Sequence, residues 1–564
     1  MDPSHPLWAS AVEAPQVIDH ADAIAWTDHT DLLVVGYGGA GVAAALEAAS
    51  RGRQVLAVDR YEGGGSSAAN GGVFYAGGGT AIQRQAGVED TVEDMFRYLQ
   101  LETQGIVSDK TLRHFCDTSV ETVDWLLGHG AKLSADGVFS EKVSYPPLRY
   151  HLYHPDNSLL PASIATAKPA ARGHCTAVYN QGKAWGLGIG IWGPLDVAAR
   201  AAGVRFNRHT EVRQLITDRS GAVLGAKALT IPEGSRAAAR FVRYIQRANF
   251  LLELIPPVIP LAAITIALAR RYLTAAARIE AKHRVTRFIR ARSGVLLSAG
   301  GFILNRTMID HYAPLYSRGL PNGTLGDTGS GLRLGESVGG ALGSMDRITG
   351  WCNINPPGAW VKGMVVNQQG ARICHEGAYG STLGDAVAHS PGGVAFLIFD
   401  ERVHREALTQ LRPGDHLVKY QRQVARLNLL MNHHKATTLE ALATRCGIDA
   451  QGLTATVRQY NEVASGRQTD PFGKQAPDVT HLDQAPFHAI DVSVHSRFFP
   501  MPVLTLGGLR VDEDTGQVLN ASSQPITGLY AAGRTAVGIC SAIYMSGLAY
   551  ADCVYSGRRV GRAI

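Results

Sequence analysis

Residues 31–59 read DLLVVGYGGAGVAAALEAASRGRQVLAVD. Asp31–Val35 is a short apolar run of strand length, the alanine-rich AGVAAALEAASRG that follows has helix composition, and Gln54–Val58 is a second apolar run. Strand, helix and strand at this spacing open a doubly wound α/β sheet. Between the first strand and the helix stands Gly36-Tyr37-Gly38-Gly39-Ala40-Gly41, with GxGxxG spacing. The glycines serve three physical ends, namely the tight turn, the close approach of backbone to a pyrophosphate, and helix–strand contact. The helix N-terminus then faces the phosphates. Asp59, 18 residues past Gly41, ends the second strand, where a carboxylate accepts hydrogen bonds from a ribose.

Working outward, Gly63-Gly64-Gly65-Ser66-Ser67-Ala68-Ala69-Asn70-Gly71-Gly72 extends the glycine-rich surface beyond the pyrophosphate. Near the other end of the chain, Gly528-Leu529-Tyr530-Ala531-Ala532-Gly533 precedes a last helix. A further buried strand is expected at Gly294–Ser298, closed by Ala299-Gly300-Gly301. Glycine is 63 of 564 residues, above the usual share of roughly 7%. The 45% hydrophobic content excludes a disordered chain, and the length calls for more than one structural unit. Seven cysteines form no CxxC pair, which fits a reducing compartment without structural disulfides. The start, MDPSHPLWASAVEAPQ, lacks the basic end and apolar run of an export signal, so a cytoplasmic protein is expected. A net charge of +6 is too mild to point to nucleic acid.

The segments Gly36–Gly41, Gly63–Gly72 and Gly528–Gly533, in this order, resemble the fumarate reductase/succinate dehydrogenase-like flavoprotein superfamily. The resemblance covers nearly the whole chain apart from 233–285 and implies FAD as cofactor. It implies FAD contacts at Gly36, Gly38, Gly39, Ala40, Gly41, Asp59, Arg60, Gly65, Ser66, Ser67, Gly71 and Gly72. Further contacts are implied at Val212, Ala299, Gly300, Gly533, Arg534, Gly547 and Leu548. Relatives that attach FAD covalently carry a histidine before the alanine-rich turn, where this chain has Ser66-Ser67, so non-covalent FAD is expected. No second GxGxxG in strand context is present to hold a nicotinamide partner.

At the reacting end, the resemblance implies a histidine before a Thr-x-Gly-Gly strand and an arginine in a GANRLGG-like turn for dicarboxylate reductases. This chain has Pro502-Val503-Leu504-Thr505-Leu506-Gly507-Gly508 and Ser541-Ala542-Ile543-Tyr544-Met545-Ser546-Gly547 instead. A dianionic substrate needs cationic partners, and a phenol with aliphatic neighbours suits a neutral, apolar one. The Tyr544-x-Ser546 turn, the SAANGGVFYAGGGT loop and the HEGAYG segment carrying Tyr379 resemble the 3-ketosteroid dehydrogenases. Tyr-x-Ser-Gly matches their Δ4-(5α) members, whereas Δ1 members resemble Tyr-x-Gly-x-Gly, whose last glycine is Leu548 here. The resemblance therefore implies desaturation of a steroid: a C4 proton goes to a tyrosine base and a C5 hydride to flavin N5. Tyr379, Tyr544 and Ser546 are the catalytic residues it implies, with base and carbonyl partner left open between the tyrosines. With the last helix expected over about 544–560, its positive N-terminus would lower the Tyr544 pKa. The alternatives are Δ1 desaturation, a fumarate reductase-like reduction, and a non-catalytic flavin-binding membrane adaptor. Tyr145, Tyr150 and Tyr153 are read as a packed loop. His433-His434 and His151/His154 find no third ligand at suitable spacing, so no metal is assigned.

Residues 233–285 add about fifty residues to the family pattern. Arg236, Arg240, Arg243 and Arg247 share one helix stripe, with Phe241, Tyr244, Ile245 and Ala248 as the less polar side. Phe250–Ala269 then carries one charge, Glu253, and three prolines (256, 257, 260), before a second basic helix. Prolines and arginine on both flanks oppose a membrane span. A hairpin dipping into one leaflet at the inner face of the cell membrane is expected, with an oligomer contact or a cap on the pocket as alternatives. Residues 234–292 hold twelve Lys/Arg against two Asp/Glu, so the basic surplus lies there. The expected partners are a steroid substrate and a quinone or other electron acceptor, and no pattern sets an oligomeric state. The expected fold is α/β: a Rossmann-like FAD-binding domain (1–232, 286–303 and 497–564) interrupted by an α+β catalytic domain (304–496), plus the helical membrane-association insertion (233–285).

Overall fold

A computed structural model describes residues 11–133, 136–140, 146, 152–177, 186–254, 261–414 and 419–564. Tyr145, Tyr150, His151 and Pro256, Pro257 and Pro260 lie outside the described residues.

The DLLVV run forms the C-terminal part of a strand, Asp28–Val35, whose Leu32, Leu33 and Val34 are fully buried. A strand apolar on both faces belongs in the middle of a parallel sheet. Val55–Val58 flanks it on one side and Val285–Leu297 on the other, both parallel. Arg205–Asn207 extends the sheet beyond Val55–Val58, and Pro525–Ala531 pairs in parallel with the end of Val285–Leu297. The first half of that long strand pairs antiparallel with Val223–Thr230, which pairs with Thr210–Asp218. With Gln517–Leu519 antiparallel to Pro525–Ala531 and Gln16–Ile18 at the far edge, the sheet has nine strands among the described residues.

One sequence expectation changes here, and one edge of the sheet is new. The strand read as Gly294–Ser298 runs from Val285 to Leu297. Its first half was hidden because Arg287, Arg290 and Arg292 break the apolar run; Arg287 and Arg292 pair with Asp28 and Asp31 of the neighbouring strand. The N-terminal arm, in turn, contributes Gln16–Ile18 as a parallel edge strand on Thr210–Asp218.

The glycine turn leads into the helix Gly39–Ser50, nearly all of which is buried. What covers it is the last helix, Leu548–Ala563. Glycines make this closeness possible: a Cβ on Gly557 would lie 2.4 Å from the Ala40 carbonyl oxygen, and one on Gly561 2.7 Å from that of Ala44. Glu47, on the first of these helices, accepts from Arg558 at 3.0 Å and Arg562 at 3.2 Å on the last. The chain's two ends are thereby locked together beside the glycine turn.

A second core gathers around the antiparallel sheet Met364–Val366, Phe396–Phe399, Phe487–Asp491 and His433–Ala436. The insertion forms two helices, Arg236–Leu254 and Ala262–His283, packed side by side on Phe241, Ile245, Ala248, Ala269, Leu273 and Ala276. Among the described residues, no helix is long and apolar enough to cross a membrane.

Candidate active site

The cleft begins where the parallel strands end. Gly36 (φ 94°) sits so close to the next strand's exit that a Cβ there would lie 2.6 Å from the Ala299 Cα. A Cβ on Gly41 would lie 2.2 Å from the Gly36 carbonyl oxygen, so turn and helix start close only with hydrogen at that position. The helix cap, Gly38, offers no side chain to the first amides. Ser67 Oγ accepts the Gly39 amide at 3.0 Å, and Gly65 stands in open space.

Asp327 is the hub of the cleft, and the sequence reading missed it. Its carboxylate accepts from Ser66 Oγ at 2.6 Å, the Thr324 amide at 2.8 Å, the Gly301 amide at 3.1 Å and Arg534 Nη2 at 2.7 Å. Burial raises its pKa, but Arg534 and these donors outweigh it and hold the carboxyl below the ordinary range. Arg534 Nη1 is buried with no protein partner. A buried guanidinium donor left over beside bare glycines and a helix start whose cap residue is glycine fits the phosphates of a dinucleotide. The residues thus fit FAD. Gly300 (φ 79°) faces Asp327, and the Gly533 amide donates to Ser556 Oγ at 3.0 Å. The Gly72 amide donates to Asn70 Oδ1 at 2.7 Å, beside Gly71.

The adenosine side reads differently in part. Asp59 Oδ2 accepts the Tyr37 amide at 2.9 Å and Oδ1 the Tyr61 amide at 2.8 Å, tying the second strand to the glycine turn. Burial raises its pKa above the usual value. Val212 is buried in the strand alongside Glu211. Arg60 turns toward Glu280 of the insertion and Glu211.

At the reacting end, the last helix begins at Leu548, with Gly547 (φ 86°) as its cap. Tyr544 therefore precedes the helix by a turn, which corrects the expectation that the helix lowers its pKa. Burial instead pushes Tyr544 up to about 12, against opposing pulls from the Gly547 amide, Arg534 and Ser546. Tyr379 is pushed higher still by burial and by Tyr544, with Ser546 and Trp351 pulling it down. Ser546 thus lies near enough to both phenols to lower the pKa of each. The Tyr544 ring stands edge-on to Trp351 at 4.6 Å, and its carbonyl accepts from Ser381 Oγ at 2.6 Å. The Tyr379 amide donates to Asn157 Oδ1 at 2.7 Å, and the Ser546 amide donates to the Pro155 carbonyl at 3.1 Å. A Cβ on Gly547 would lie 2.7 Å from the Tyr75 amide, so this turn is pressed against the Val73–Tyr75 strand of the glycine loop. Tyr379, Tyr544 and Ser546 are brought together, and Tyr379 alone of them lines a small cavity of mixed character with His154, Asp156, Ile354, Asn355, Glu376 and Leu383. Tyr153 is buried in a short strand.

His433 meets His404 and His488, neither linked to it by sequence spacing. His433 Nε2 and His488 Nδ1 lie 2.7 Å apart, and His488 Nε2 faces Glu401 at 3.0 Å. Nitrogens that close share a proton, and the three rings are parallel to within 17°. One ring nitrogen of each of the three histidines lies within 4.8 Å of the others, so the fold supplies the third ligand that sequence spacing did not show. The three rings also pack on Phe399, with His488 stacked on it at 5.4 Å.

The FAD binding domain family matches residues 31–547. The chain is 36% identical over 528 residues to the 3-oxo-5-alpha-steroid 4-dehydrogenase of Comamonas testosteroni, covering 92% of this chain and 94% of that one. It is 28% identical to the 3-oxosteroid 1-dehydrogenase of Mycobacterium tuberculosis, covering 91% and 94%. The solved 3-ketosteroid-delta4-(5alpha)-dehydrogenase of Rhodococcus jostii RHA1, in complex with 4-androstene-3,17-dione, superposes with a TM-score of 0.77 at 27% identity, covering 98% and 99%. The chain belongs to the FAD binding domain family and, within it, to the FAD-dependent 3-ketosteroid dehydrogenases, oxidoreductases acting on CH–CH groups.

Proposed function

We propose that the protein desaturates a 3-oxo-5α-steroid between C4 and C5. The observation that carries this is the Tyr544-x-Ser546-Gly547 turn, packed with Tyr379 under Trp351 and followed by Leu548 at the first position of the helix. Two neutral phenols and one hydroxyl suit a ketone and an apolar ring system better than a dicarboxylate. FAD, when bound, supplies the acceptor for the C5 hydride. Tyr544, the phenol supported by the Gly547 amide, donates to the C3 carbonyl and stabilises the charge that grows there. The Tyr379–Ser546 pair takes the C4 proton, and Tyr379 borders a small cavity whose His154, Asp156 and Glu376 offer groups to pass that proton on. Non-covalent attachment is supported by Ser66 and Ser67, whose hydroxyls are engaged by Asp327 and the Gly39 amide. Incubation with a 5α-reduced and with a 4-ene 3-ketosteroid, plus an artificial acceptor, tests the reading. Turnover of the 5α-reduced compound alone is expected; turnover of the 4-ene compound alone makes the protein a Δ1 enzyme.

The insertion adds a peripheral contact with an anionic membrane, at the inner face of the cell membrane. Its far end exposes Phe250 (62%), Leu254, Leu261, Ile264 (65%) and Leu268, and the exposed Arg243, Arg247, Arg270 and Arg271 surround it. None of these arginines has an ion-pair partner among the described residues. Apolar side chains at one leaflet with cations at the headgroups satisfy both features. A lipophilic steroid partitions into the same layer, and a quinone dissolved there is the proposed electron acceptor. Replacing Phe250, Leu254, Leu261 and Ile264 together by Ser is expected to cut flotation with anionic vesicles at least about tenfold. Equal flotation of the variant and the wild type would remove the membrane reading and leave the enzyme reading standing.

A further inference from the structure

We infer that the insertion also clamps the cofactor: Glu280, on its second helix, is a positioning residue that holds Arg60 and, through Asp59, the glycine turn at the adenosine end of the FAD cleft. This rests on the flavin reading of that cleft.

Arg60 directly follows the carboxylate that ends the second strand. Its guanidinium lies on Glu280 in a two-point contact, Nε to Oε1 at 3.0 Å and Nη2 to Oε2 at 2.9 Å. Its third side meets Glu211 Oε1 at 3.2 Å. Glu280 is 4% exposed, an unusual place for a carboxylate on a basic helix. Arg284 bonds both Glu280 and Glu211, the latter at 2.8 Å, and Arg213 reaches Glu211 at 3.1 Å. Three part-buried guanidinium groups therefore share two buried carboxylates, and removing either carboxylate leaves positive charge with too few partners.

The first helix of the insertion grips the neighbouring residue. Phe241 stacks on Tyr61 with centroids 6.3 Å apart and planes within 11°. The Tyr61 amide donates to Asp59, whose other oxygen accepts the Tyr37 amide inside the GxGxxG turn. A continuous path of short contacts thus runs from Glu280 through Arg60, Tyr61 and Asp59 to the turn that faces the pyrophosphate. A device needed only to reach a membrane has no use for a buried two-point ion pair at this position. A bidentate carboxylate–guanidinium contact fixes orientation as well as charge, as positioning requires.

Dilution of the holoenzyme, with released FAD read by its fluorescence, tests the inference. Glu280→Gln is expected to raise the FAD dissociation constant about tenfold, with Glu280→Asp between it and wild type. The Ser-substituted tip variant, which leaves the root intact, keeps the wild-type constant. A Glu280→Gln holoenzyme that melts earlier in saturating FAD yet keeps the wild-type constant makes Glu280 merely structural and overturns the clamp. Should Glu280→Gln fail to accumulate, Arg60→Lys keeps the charge but loses the two-point contact. It is expected to weaken FAD about threefold, and an unchanged constant there overturns the clamp equally. Wild-type protein that holds no FAD would instead remove the flavin reading itself.

Discussion

A Tyr544→Phe enzyme is expected to turn over a 5α-reduced 3-ketosteroid about a hundred- to a thousandfold more slowly than wild type, the range for losing one donor to a developing oxyanion. FAD content should be unchanged, because the side chains lining the FAD cleft, Ser66, Asp327 and Arg534, are untouched. The ring itself remains in Phe, so the edge-on contact with Trp351 is kept and the loss reports the hydroxyl alone. Tyr379→Phe is expected to cost a comparable or larger factor, about a hundred- to ten-thousandfold for a general base. The two variants separate by pH profile. Burial raises the Tyr379 pKa above its ordinary value, so the ionised form is scarce at neutral pH and grows with pH. Wild-type kcat/KM should therefore climb through the alkaline range. Tyr544→Phe should keep that climb at a lower level, and Tyr379→Phe should flatten it. If Tyr544→Phe abolishes the climb while Tyr379→Phe retains it, the two roles are exchanged.

Residues 31–59 made the central βαβ unit legible because every local signal there agrees: a doubly buried strand, bare glycines and an alanine helix. The reacting turn was legible through resemblance, as Tyr544 and Ser546 stand at matching motif positions. What sequence could not show is what only the fold brings together. Asp327 lies in the turn GDTGSG and gains meaning only when Arg534, 207 positions later, arrives beside it. Glu280 reads as one acid on a basic helix until Arg60 meets it across 220 positions. The Tyr544 pKa was misjudged for a simpler reason. A helix start is uncertain by a few residues from sequence, and the dipole acts only within the first turn. Four residues of offset, together with the desolvation that partial burial imposes on the phenol, reverse the expected direction.

Asp327 is the residue outside the reacting end whose loss should be felt most. Asp327→Asn is isosteric but neutral, and it leaves the Arg534 guanidinium buried without its counter-charge. Breaking a buried pair from one side costs about 3–5 kcal/mol. Here the same carboxylate also accepts from Ser66, Thr324 and Gly301, whereas an amide has one acceptor oxygen. The lost contacts span the glycine loop, the strand exit and the Gly533-Arg534 turn, three separate chain segments that line the FAD cleft. The variant is therefore expected to be purified with little or no FAD and to unfold earlier than wild type. An acid titration supplies an independent sign. Asp327 has a pKa held below its unfolded value, so its contribution is complete above about pH 4 and is lost as pH falls through the lower, folded value. Wild-type protein should keep its FAD from neutral pH down to about 4 and release it below, followed by fluorescence. In Asp327→Asn the carboxylate that must be protonated is already gone, so retention should be poor at neutral pH and its acid limb shallower. A variant that keeps FAD like wild type at pH 7 would show that Arg534, and not the Asp327 hub, holds the cleft together.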